Sequence, residues 1–293
     1  MRIRLDIAYD GTHFRGWAKQ PGLRTVQGTI EAALARIVGP GADSAGGDPG
    51  ASGPRLVVAG RTDAGVHATG QVAHVDLDER QWARVVTRNG RAADDPAASL
   101  ASRIRGVLGQ YPDVTVSRTS LAPEGFDARF SAVWRRYRYR LADARAGYDP
   151  LLRHDTTTVR AALDEGAMDA AAQTLIGLHD FAAYCKPREE GTTIRTLLDY
   201  RWTRDAAGVL VAQVKADAFC HSMVRALVGA CTAVGEGRLE IADLARLRDD
   251  LTRTSAFKVL AARGLTLTEV GYPSDDLLAA RAEQTRNRRD QDD

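Results

Sequence analysis

The stretch VVAGRTDAGVHATGQVAHVDL, from Val57 to Leu77, predicts two strands joined by a glycine-rich loop. The apolar run Leu56–Ala59 suits a short buried strand, whereas apolar and polar residues alternate over Gln71–Leu77, as in a strand with one buried face. The segment GRTDAGVHATG between them contains three glycines and a single carboxylate, Asp63. Because loops on a rigid frame often hold functional groups, Asp63 is the first candidate for chemistry.

Asp63 has a catalytic and a structural interpretation. A partly dehydrated carboxylate beside a cation, here Arg61, stays ionised and can act as a covalent nucleophile. Aspartates in turns also accept hydrogen bonds from nearby backbone, which would make Asp63 a turn former. The spacing leaves both interpretations open. An aspartic protease is excluded because it needs two such loops, and TDAG occurs once.

The side chains around Asp63 do not have the spacing of a metal site. Asp63, His67, His74 and Asp76 are suitable ligand types, yet no HxH, HExxH or CxxC pattern occurs in the chain. We therefore expect no metal at this loop.

A second candidate is the segment RRYRYR, Arg135 to Arg140, which places four guanidinium groups in six residues. On a strand, Tyr137 and Tyr139 share one face, while Arg136 and Arg138 share the other. Interleaved aromatic and basic residues are typical of RNA-binding surfaces, where rings stack on bases and cations meet phosphates. A solvated edge strand or a strand packed on helices shows the same alternation and remains the alternative.

The third candidate is FCHSMVRALVG, residues 219–229, whose apolar side chains recur at helical spacing. Cys220 and Cys231 fall on the apolar stripe and are expected to be inert core residues. His221 and Arg225 lie four residues apart and would share a polar flank of the helix. An arginine on a largely apolar helix favours an anionic partner, and exposure to solvent is the alternative.

The composition is that of a globular protein with a local basic strip. The chain has 293 residues and a net charge of +2, so RRYRYR indicates a specific polyanion site on a nearly neutral protein. Apolar runs are too short to span a bilayer, and the charges within MRIRLDIAYD favour a strand over a signal peptide. The three cysteines form no CxxC, which argues against a disulfide scaffold and a zinc site and fits a reducing cytoplasm.

Periodicity predicts an α+β fold whose strands pair through short turns, with helices mainly on one face of the sheet. The predicted strands are Ile3–Ile7, Leu56–Ala59, Gln71–Leu77, Val114–Ser117, Trp134–Leu141, Ile194–Thr203, Val209–Ala218 and Leu265–Tyr272. Helices are predicted after the cap Thr25, near Leu100–Leu108, within Val159–Leu178, along Cys220–Val234 and over Ile241–Leu251. Gly41–Gly53 is expected to be a disordered loop, and Arg88–Ser99 shows no clear pattern.

Five blocks of sequence, taken together, resemble the tRNA pseudouridine synthase A family. They are YDGTHFRGW, GRTDAGVHATGQVAHVD, FDARFSAVWRRYRYR, GLHDF and KADAFCHSMVRALVG, in this order, over roughly residues 2–273. The resemblance implies two similar subdomains that form a mostly antiparallel sheet, with the active-site cleft between them. It divides the chain into residues 1–124 and residues 125–273. The apolar pattern is lost from Pro273 onward, so residues 274–293 are expected to be a polar, disordered tail.

The resemblance also implies roles for three residues. Asp63 matches the family's catalytic aspartate, and Tyr137 matches the active-site tyrosine that packs against the target base. Arg225 matches the basic residue that pairs with the aspartate. The attack by Asp63 on C6 of uracil or on C1′ of ribose remains open.

Further expectations concern tRNA. Arg61 matches an arginine that helps to hold the place of the flipped-out nucleotide, and Arg136, Arg138 and His67 are further expected tRNA contacts. Family members isomerise uridine to pseudouridine at positions 38, 39 and 40 of the anticodon stem-loop. They use no cofactor and act as cytoplasmic homodimers with tRNA lying across both subunits.

Two departures from the family pattern concern tRNA docking. Asp127 stands where the family usually has histidine, and the usual Asn-x-x-Leu-Pro stretch is not recognisable within Arg103–Val114. Two other functions remain as alternatives. A nucleoside or glycosyl hydrolase would need a second carboxylate as acid, and none is obvious near Asp63. A non-catalytic RNA-binding module would explain RRYRYR but not Asp63.

Overall fold

The structure is a computed structural model that describes residues 1–39, 53–88, 91–92, 94–187 and 192–290. For residues 88, 91–92 and 287–290 it describes the backbone alone. Most of the predicted loop Gly41–Gly53, and part of Arg88–Ser99, lie outside the described residues.

The described residues form both strands and α-helices. The strands are β1 (Arg2–Tyr9), β2 (Leu56–Val58), β3 (His67–Asp76), β4 (Thr87–Arg88), β5 (Arg91–Ala92), β6 (Val114–Leu121), β7 (Trp134–Ala142), β8 (Thr157–Thr158), β9 (Gly177–Asp180), β10 (Ile194–Arg204), β11 (Leu210–Ala216) and β12 (Leu265–Gly271). The helices are α1 (Val26–Val38), α2 (Glu79–Val86), α3 (Pro96–Leu108), α4 (Glu165–Gln173), α5 (Met223–Gly235), α6 (Ile241–Asp249) and α7 (Leu278–Asp290).

Two compact units divide the chain, one formed by residues 1–133 with 270–293 and the other by residues 134–269. The expected boundary at 124/125 lies before the observed division, and the end of the chain belongs to the first unit. Contacts of the segment after residue 125 explain this assignment. The Ala128 amide donates to His74 Nδ1 at 3.0 Å, and the Ala128 carbonyl accepts from Tyr272 Oη at 2.8 Å.

In the first unit, β1 lies between β3 and β6, β2 pairs with β3, and all of these pairs are antiparallel. β1 forms because Ile3, Leu5 and Ile7 alternate with polar residues, and all three side chains are buried. Ile3 and Leu5 lie opposite Val75 and Ala73, which are buried as well. Since each large aliphatic side chain contributes about 1.5–3 kcal/mol on burial, this register holds β3 firmly.

In the second unit the strand order is β12-β7-β11-β10-β9, and β8 pairs with β7. The β7–β11, β10–β11 and β9–β10 pairs are antiparallel, whereas the two-residue β8 is parallel to β7. The alternation predicted for β7 is confirmed, because Tyr137 and Tyr139 are buried while Arg136 and Arg138 are half-buried. The predicted α+β class with mostly antiparallel strands is also confirmed.

The helix predicted within Val159–Leu178 is shorter than its apolar spacing indicated. α4 begins only after Asp164, whose Oδ1 accepts from the Ala167 amide at 3.0 Å as an N-cap. After α4 the chain reaches Gly177 at a φ of +120°, and β9 begins there. Capping and glycine geometry therefore overrode the helical pattern at both ends.

The tail expected to be disordered contains α7. Leu278 and Ala282 are four residues apart on this helix and are both buried, so a short apolar stripe anchors it. Polar contacts add to this anchor. Ser131 Oγ donates to the Leu278 carbonyl at 3.0 Å, and Arg286 Nη2 lies 2.9 Å from Asp127 Oδ2. Asp127, one of the departures from the family pattern, thus helps to hold the end of the chain.

The cysteines differ from the prediction. A disulfide bond joins Cys185 to Cys220, with Cα atoms 5.7 Å apart, so the interpretation of Cys220 as an inert core residue is wrong. Cys220 lies in the loop before α5, which begins at Met223, and therefore does not belong to the helical stripe. Cys231 does fit the prediction, since it is a free and fully buried thiol.

Candidate active site

Asp63 lies in the loop that connects β2 to β3 in the first unit, as predicted. β2 and β3 are antiparallel, with Leu56 opposite Val75 and Val58 opposite Ala73. β3 begins at His67, four residues earlier than the predicted Gln71, so the last four residues of the GRTDAGVHATG motif belong to the strand. The loop is therefore short and is held at both ends by paired strands.

Hydrogen bonds to Thr62 and Gly60 fix the loop just before Asp63. The Trp17 amide donates to the Thr62 carbonyl at 3.0 Å, and Tyr9 Oη lies 2.7 Å from Thr62 Oγ1. Gln71 Nε2 donates to the Gly60 carbonyl at 2.9 Å. Burial raises the pKa of Tyr9 to about 12, and its hydrogen bonds with Thr62 and Gln71 offset this only in part. Tyr9 is therefore a neutral, buried hydrogen-bonding support for the loop.

Two glycines allow the YDGTHFRGW turn to pack closely against the backbone of the loop that contains Asp63. Gly16 has a φ of +88°, and a Cβ there would lie 3.1 Å from the Thr62 carbonyl oxygen. A Cβ at Gly11 would lie only 2.0 Å from the Val66 carbonyl oxygen. The turn and the loop thus form one support, which explains why both blocks occur together in the sequence.

The three candidate residues of the loop differ in exposure. Asp63 is half-buried, Arg61 is exposed, and His67 is buried. His67 Nδ1 lies 3.0 Å from both the Gly11 amide nitrogen and Asp10 Oδ1, so this ring is built into the support behind the loop. Asp63 and Arg61 are the members of this set that a ligand can reach directly. Contacts of tRNA with Arg61 and His67 remain predictions.

Tyr137 and Tyr139 lie on the same face of β7. Tyr139 Oη donates to the Ala261 carbonyl at 2.9 Å and lies 2.8 Å from Thr157 Oγ1, whose hydroxyl can donate to it. Burial raises the pKa of Tyr139 to about 12, which keeps its phenol neutral. Tyr139 is fully buried, whereas Tyr137 retains 8% of its exposure. Tyr139 therefore has a structural role, whereas contact of Tyr137 with the target base remains a prediction.

The ring of Tyr137 meets the ring of Phe219 edge-on, with centroids 5.1 Å apart and planes at 89°. Phe219 lies in the segment between β11 and α5. This is a favoured geometry for aromatic pairs. Phe219 was not predicted as a site residue, and the signal for it in the sequence is its place in the block KADAFCHSMVRALVG.

Arg225 lies in the first turn of α5 and is half-buried. Its Nε donates to the Leu260 carbonyl at 2.6 Å, and the Leu260 amide donates to the Arg225 carbonyl at 3.2 Å. A cation at a helix N-terminus is unfavourable because the helix dipole is positive there. The position therefore supports a role in binding an anion rather than in stabilising the helix. His221 precedes α5, so the predicted helical flank shared with Arg225 is wrong.

Arg136 and Arg138 lie on the face of β7 opposite to Tyr137. Arg136 Nη1 lies 3.2 Å from Glu269 Oε2, and its guanidinium lies 5.3 Å from the centroid of the Trp134 ring. Contacts of tRNA with these arginines remain predictions.

Across the described ranges, no group of three or more His, Cys, Asp or Glu side chains is arranged to hold a metal ion. Among the helices in the described part of the chain, none is long and apolar enough to cross a membrane.

Comparison with known proteins identifies the class. A family model described as tRNA pseudouridine synthase matches residues 171–273. The tRNA pseudouridine synthase A of Leifsonia xyli subsp. xyli is 61% identical over 98% of this chain and 97% of that protein. The protein of the same name from Streptomyces griseus subsp. griseus is 50% identical over 98% of this chain and 93% of that protein. A dye-decolorizing protein from V. cholerae, a solved structure, covers 95% of both chains at 10% identity with a TM-score of 0.19, too low to carry an argument.

The family model places the chain among the pseudouridine synthases, which are isomerases. Since its relatives match over nearly their whole length, the chain belongs to the tRNA pseudouridine synthase A family. It is a tRNA-modifying enzyme that converts uridine to pseudouridine, and the resemblance found in the sequence is confirmed. The family favours this isomerase over the hydrolase and the RNA-binding module that the motifs left open.

Proposed function

We propose that this isomerase acts on uridines 38, 39 and 40 of the tRNA anticodon stem-loop and that Asp63 is its nucleophile. The observation that carries the proposal is the placement of Asp63. Its side chain is half-buried in a short loop whose backbone is fixed at Thr62 by Trp17 and Tyr9. A turn former alone would not need such a support, whereas a nucleophile benefits from a fixed position.

The other proposed residues act on the extruded base. A uridine inside a stem or a stacked loop hides its reactive atoms and must be flipped out, at a cost of a few kcal/mol. Tyr137 stacks on the flipped base, and Arg61 helps to hold its place in the RNA. Arg225 pairs with Asp63. Its placement at the N-terminus of α5, held by Leu260, supports a role with an anionic partner.

The reaction needs no oxidant, reductant or co-substrate. Asp63 attacks either C6 of uracil or C1′ of ribose, and the bond between N1 and C1′ breaks. Uracil then turns within the site, and C5 forms a bond to C1′. C5 loses its proton, N1 gains one, and the carboxylate of Asp63 is released, so atoms and charge balance. Asp63 thereby splits one difficult exchange of bonds into steps.

The proposed setting follows the family. The enzyme is a cytoplasmic homodimer, works without a cofactor or a metal, and binds tRNA across both subunits. Arg136 and Arg138 contact phosphates outside the base pocket, because they lie on the strand face opposite to Tyr137. His67 is buried and supports the Asp63 loop by accepting a hydrogen bond from the Gly11 amide.

Tritium release from tRNA labelled at C5 of uridine tests the target positions, because bond formation at C5 releases that hydrogen. The purified protein is incubated with an unmodified transcript and with transcripts carrying cytidine at position 38, 39 or 40, singly and together. We expect each single change to remove the share of tritium from that position and the triple change to abolish release. Undiminished release from the triple variant would reject the proposed positions while leaving pseudouridine synthesis intact.

A further inference from the structure

We propose that Phe219 is a positioning residue whose ring sets the plane of the Tyr137 ring and hence the place where the target base stacks. The inference rests on the proposed role of Tyr137. Its basis is the edge-on contact between the two rings, whose centroids are 5.1 Å apart and whose planes meet at 89°. The side chain of phenylalanine holds no polar atom, so Phe219 influences the reaction through packing and not through proton transfer.

The backbone before Phe219 is fixed to neighbouring strands. Asp217 Oδ1 accepts from the Thr196 amide at 3.0 Å, and the Asp217 amide donates to the Thr196 carbonyl at 3.1 Å. Arg135 Nη1 donates to the Asp217 carbonyl at 2.8 Å. Arg135 precedes Tyr137 by two residues on β7. The strand that presents Tyr137 is therefore tied directly to the segment that presents Phe219.

The backbone after Phe219 is fixed as well. Cys220 forms the disulfide bond with Cys185, and the next residue along, Lys186, donates from its amide to the His221 carbonyl at 2.9 Å. Phe219 is thus held on both sides by contacts with three other segments of the second unit. Such support is expected for a ring that must stay in one orientation, because rotation of either ring would allow the stacked base to occupy several positions.

The substitution Phe219→Leu tests the inference, because leucine keeps apolar bulk and removes the ring edge. Phe219→Tyr keeps the ring and serves as the conservative variant. Phe181→Leu is the matched control in the same unit, because the contacts of the Phe181 ring are with His179 and Tyr184. Single-turnover rates, tRNA affinity and melting temperature are measured for each variant on full-length protein and unmodified tRNA.

We expect Phe219→Leu to slow the single-turnover rate about tenfold, which corresponds to about 1.4 kcal/mol of barrier and is typical of a lost aromatic pair. Its tRNA affinity should remain near that of the parent, and Phe219→Tyr should restore most of the rate. Phe181→Leu should lower the melting temperature without a comparable loss of rate. A rate loss in Phe181→Leu matching that of Phe219→Leu would reduce Phe219 to a general stabilising residue.

A double-mutant cycle separates action through Tyr137 from a purely structural effect. If Phe219 acts by orienting the ring of Tyr137, Phe219→Leu should cost little further rate once Tyr137→Leu has removed that ring. An equal fold loss in both backgrounds would overturn the positioning role while leaving Tyr137 catalytic. A parental rate for Tyr137→Leu itself would overturn the proposed role of Tyr137, and with it the inference, but not the isomerase function.

Discussion

Cys185 and Cys220 are joined by a disulfide bond that closes 35 residues of the second unit and ends directly beside Phe219. The bond ties the short 3-10 turn Ala182–Tyr184 to the segment that leads into α5. It lies on the same segment as two residues of the candidate site, Phe219 and Arg225. Because a reducing cytoplasm keeps most thiols reduced, the stability of this segment depends on the oxidation state of the protein.

Reduction of this disulfide should destabilise the protein. For a closed loop of 35 residues, the chain-entropy relation gives a contribution of about 4 kcal/mol to the free energy of unfolding. Urea denaturation with and without dithiothreitol measures the difference. The double variant Cys185→Ser/Cys220→Ser should lose the dependence on reductant, and Cys231→Ala should keep it. Three alkylated thiols in denatured protein that was never reduced would contradict the bond.

The buried carboxylate of Asp143 predicts acid sensitivity. Its side chain is fully buried, and Oδ2 lies 2.7 Å from Arg204 Nη2. Burial alone would raise the pKa of Asp143, but hydrogen bonds from Arg204 and from the Leu163 and Ala146 amides outweigh it and hold the pKa well below its usual range. Because the pKa of Asp143 is lower in the folded than in the unfolded chain, its carboxylate stabilises the fold above about pH 4, the usual pKa of an aspartate in an unfolded chain. This contribution to the free energy of unfolding is lost as the pH falls towards the folded-state pKa.

Asp143→Asn should therefore lower the free energy of unfolding at pH 7 by about 3 kcal/mol, because it leaves Arg204 without its buried partner. The difference in the free energy of unfolding between the parent and this variant should become smaller as the pH falls below about 4. Urea denaturation at pH 7, 5 and 3 measures it. Asp249→Asn is the control, since Asp249 forms an exposed pair with Arg248 and should change little. A difference in the free energy of unfolding that stays constant from pH 7 to pH 3 would contradict the lowered pKa of Asp143.

Tyr137→Phe should keep tRNA binding and slow the reaction strongly. The ring remains available for stacking and for the contact with Phe219, while the hydroxyl that orients a group or transfers a proton is lost. Single-turnover rates measured beside tRNA affinity test this. Tyr139→Phe is the comparison, because the Tyr139 hydroxyl is hydrogen-bonded with Thr157 and Ala261. Its loss should lower the stability of the fold and not the rate of the reaction. Near-parental turnover of Tyr137→Phe would restrict Tyr137 to the contribution of its ring.

Binding of tRNA should weaken with salt, and Arg138→Gln should flatten that dependence. Each lost phosphate contact reduces the slope of log affinity against log salt by about 1. Arg140→Gln on the same face should leave the slope unchanged, because Arg140 Nη1 already lies 2.9 Å from Asp205 Oδ2. Equal slopes for the parent and Arg138→Gln would place Arg138 outside the tRNA interface.

Elements with local signals could be predicted from the sequence. Thr25 accepts from the Gly28 amide and caps α1 as predicted, and Gly39 ends that helix at a φ of +69°. The alternation in β7 correctly separated its aromatic face from its basic face. α2 was missed although a signal existed. Asp78 and Gln81, three residues apart, form a capping box, which is a sequence pattern that marks the start of a helix.

Contacts between distant residues could not be predicted. The ring contact between Tyr137 and Phe219 and the disulfide bond of Cys220 depend on how strands are ordered in the sheet, which no local pattern contains. The same holds for Arg140, which appeared as part of a polyanion site and instead pairs with Asp205, 65 residues away. The position of Asp63 was predicted because its loop is defined by adjacent strands and glycines.

The central claim is that Asp63 acts as a nucleophile, and pseudouridine formation by Asp63→Asn tests it most directly. The amide has nearly the shape of the carboxylate but is a far weaker nucleophile, so many powers of ten in rate are lost, at about 1.4 kcal/mol for each. Asp76→Asn, in the neighbouring strand, is the control and should retain turnover, because Asp76 pairs with Arg2 at the surface.

The measurement is the number of pseudouridines formed per tRNA, read by mass spectrometry beside tRNA affinity and melting temperature. We expect Asp63→Asn to fold and bind tRNA as the parent does and to form no pseudouridine. Measurable conversion by Asp63→Asn, once mass spectrometry of the protein has excluded deamidation back to aspartate, would contradict it.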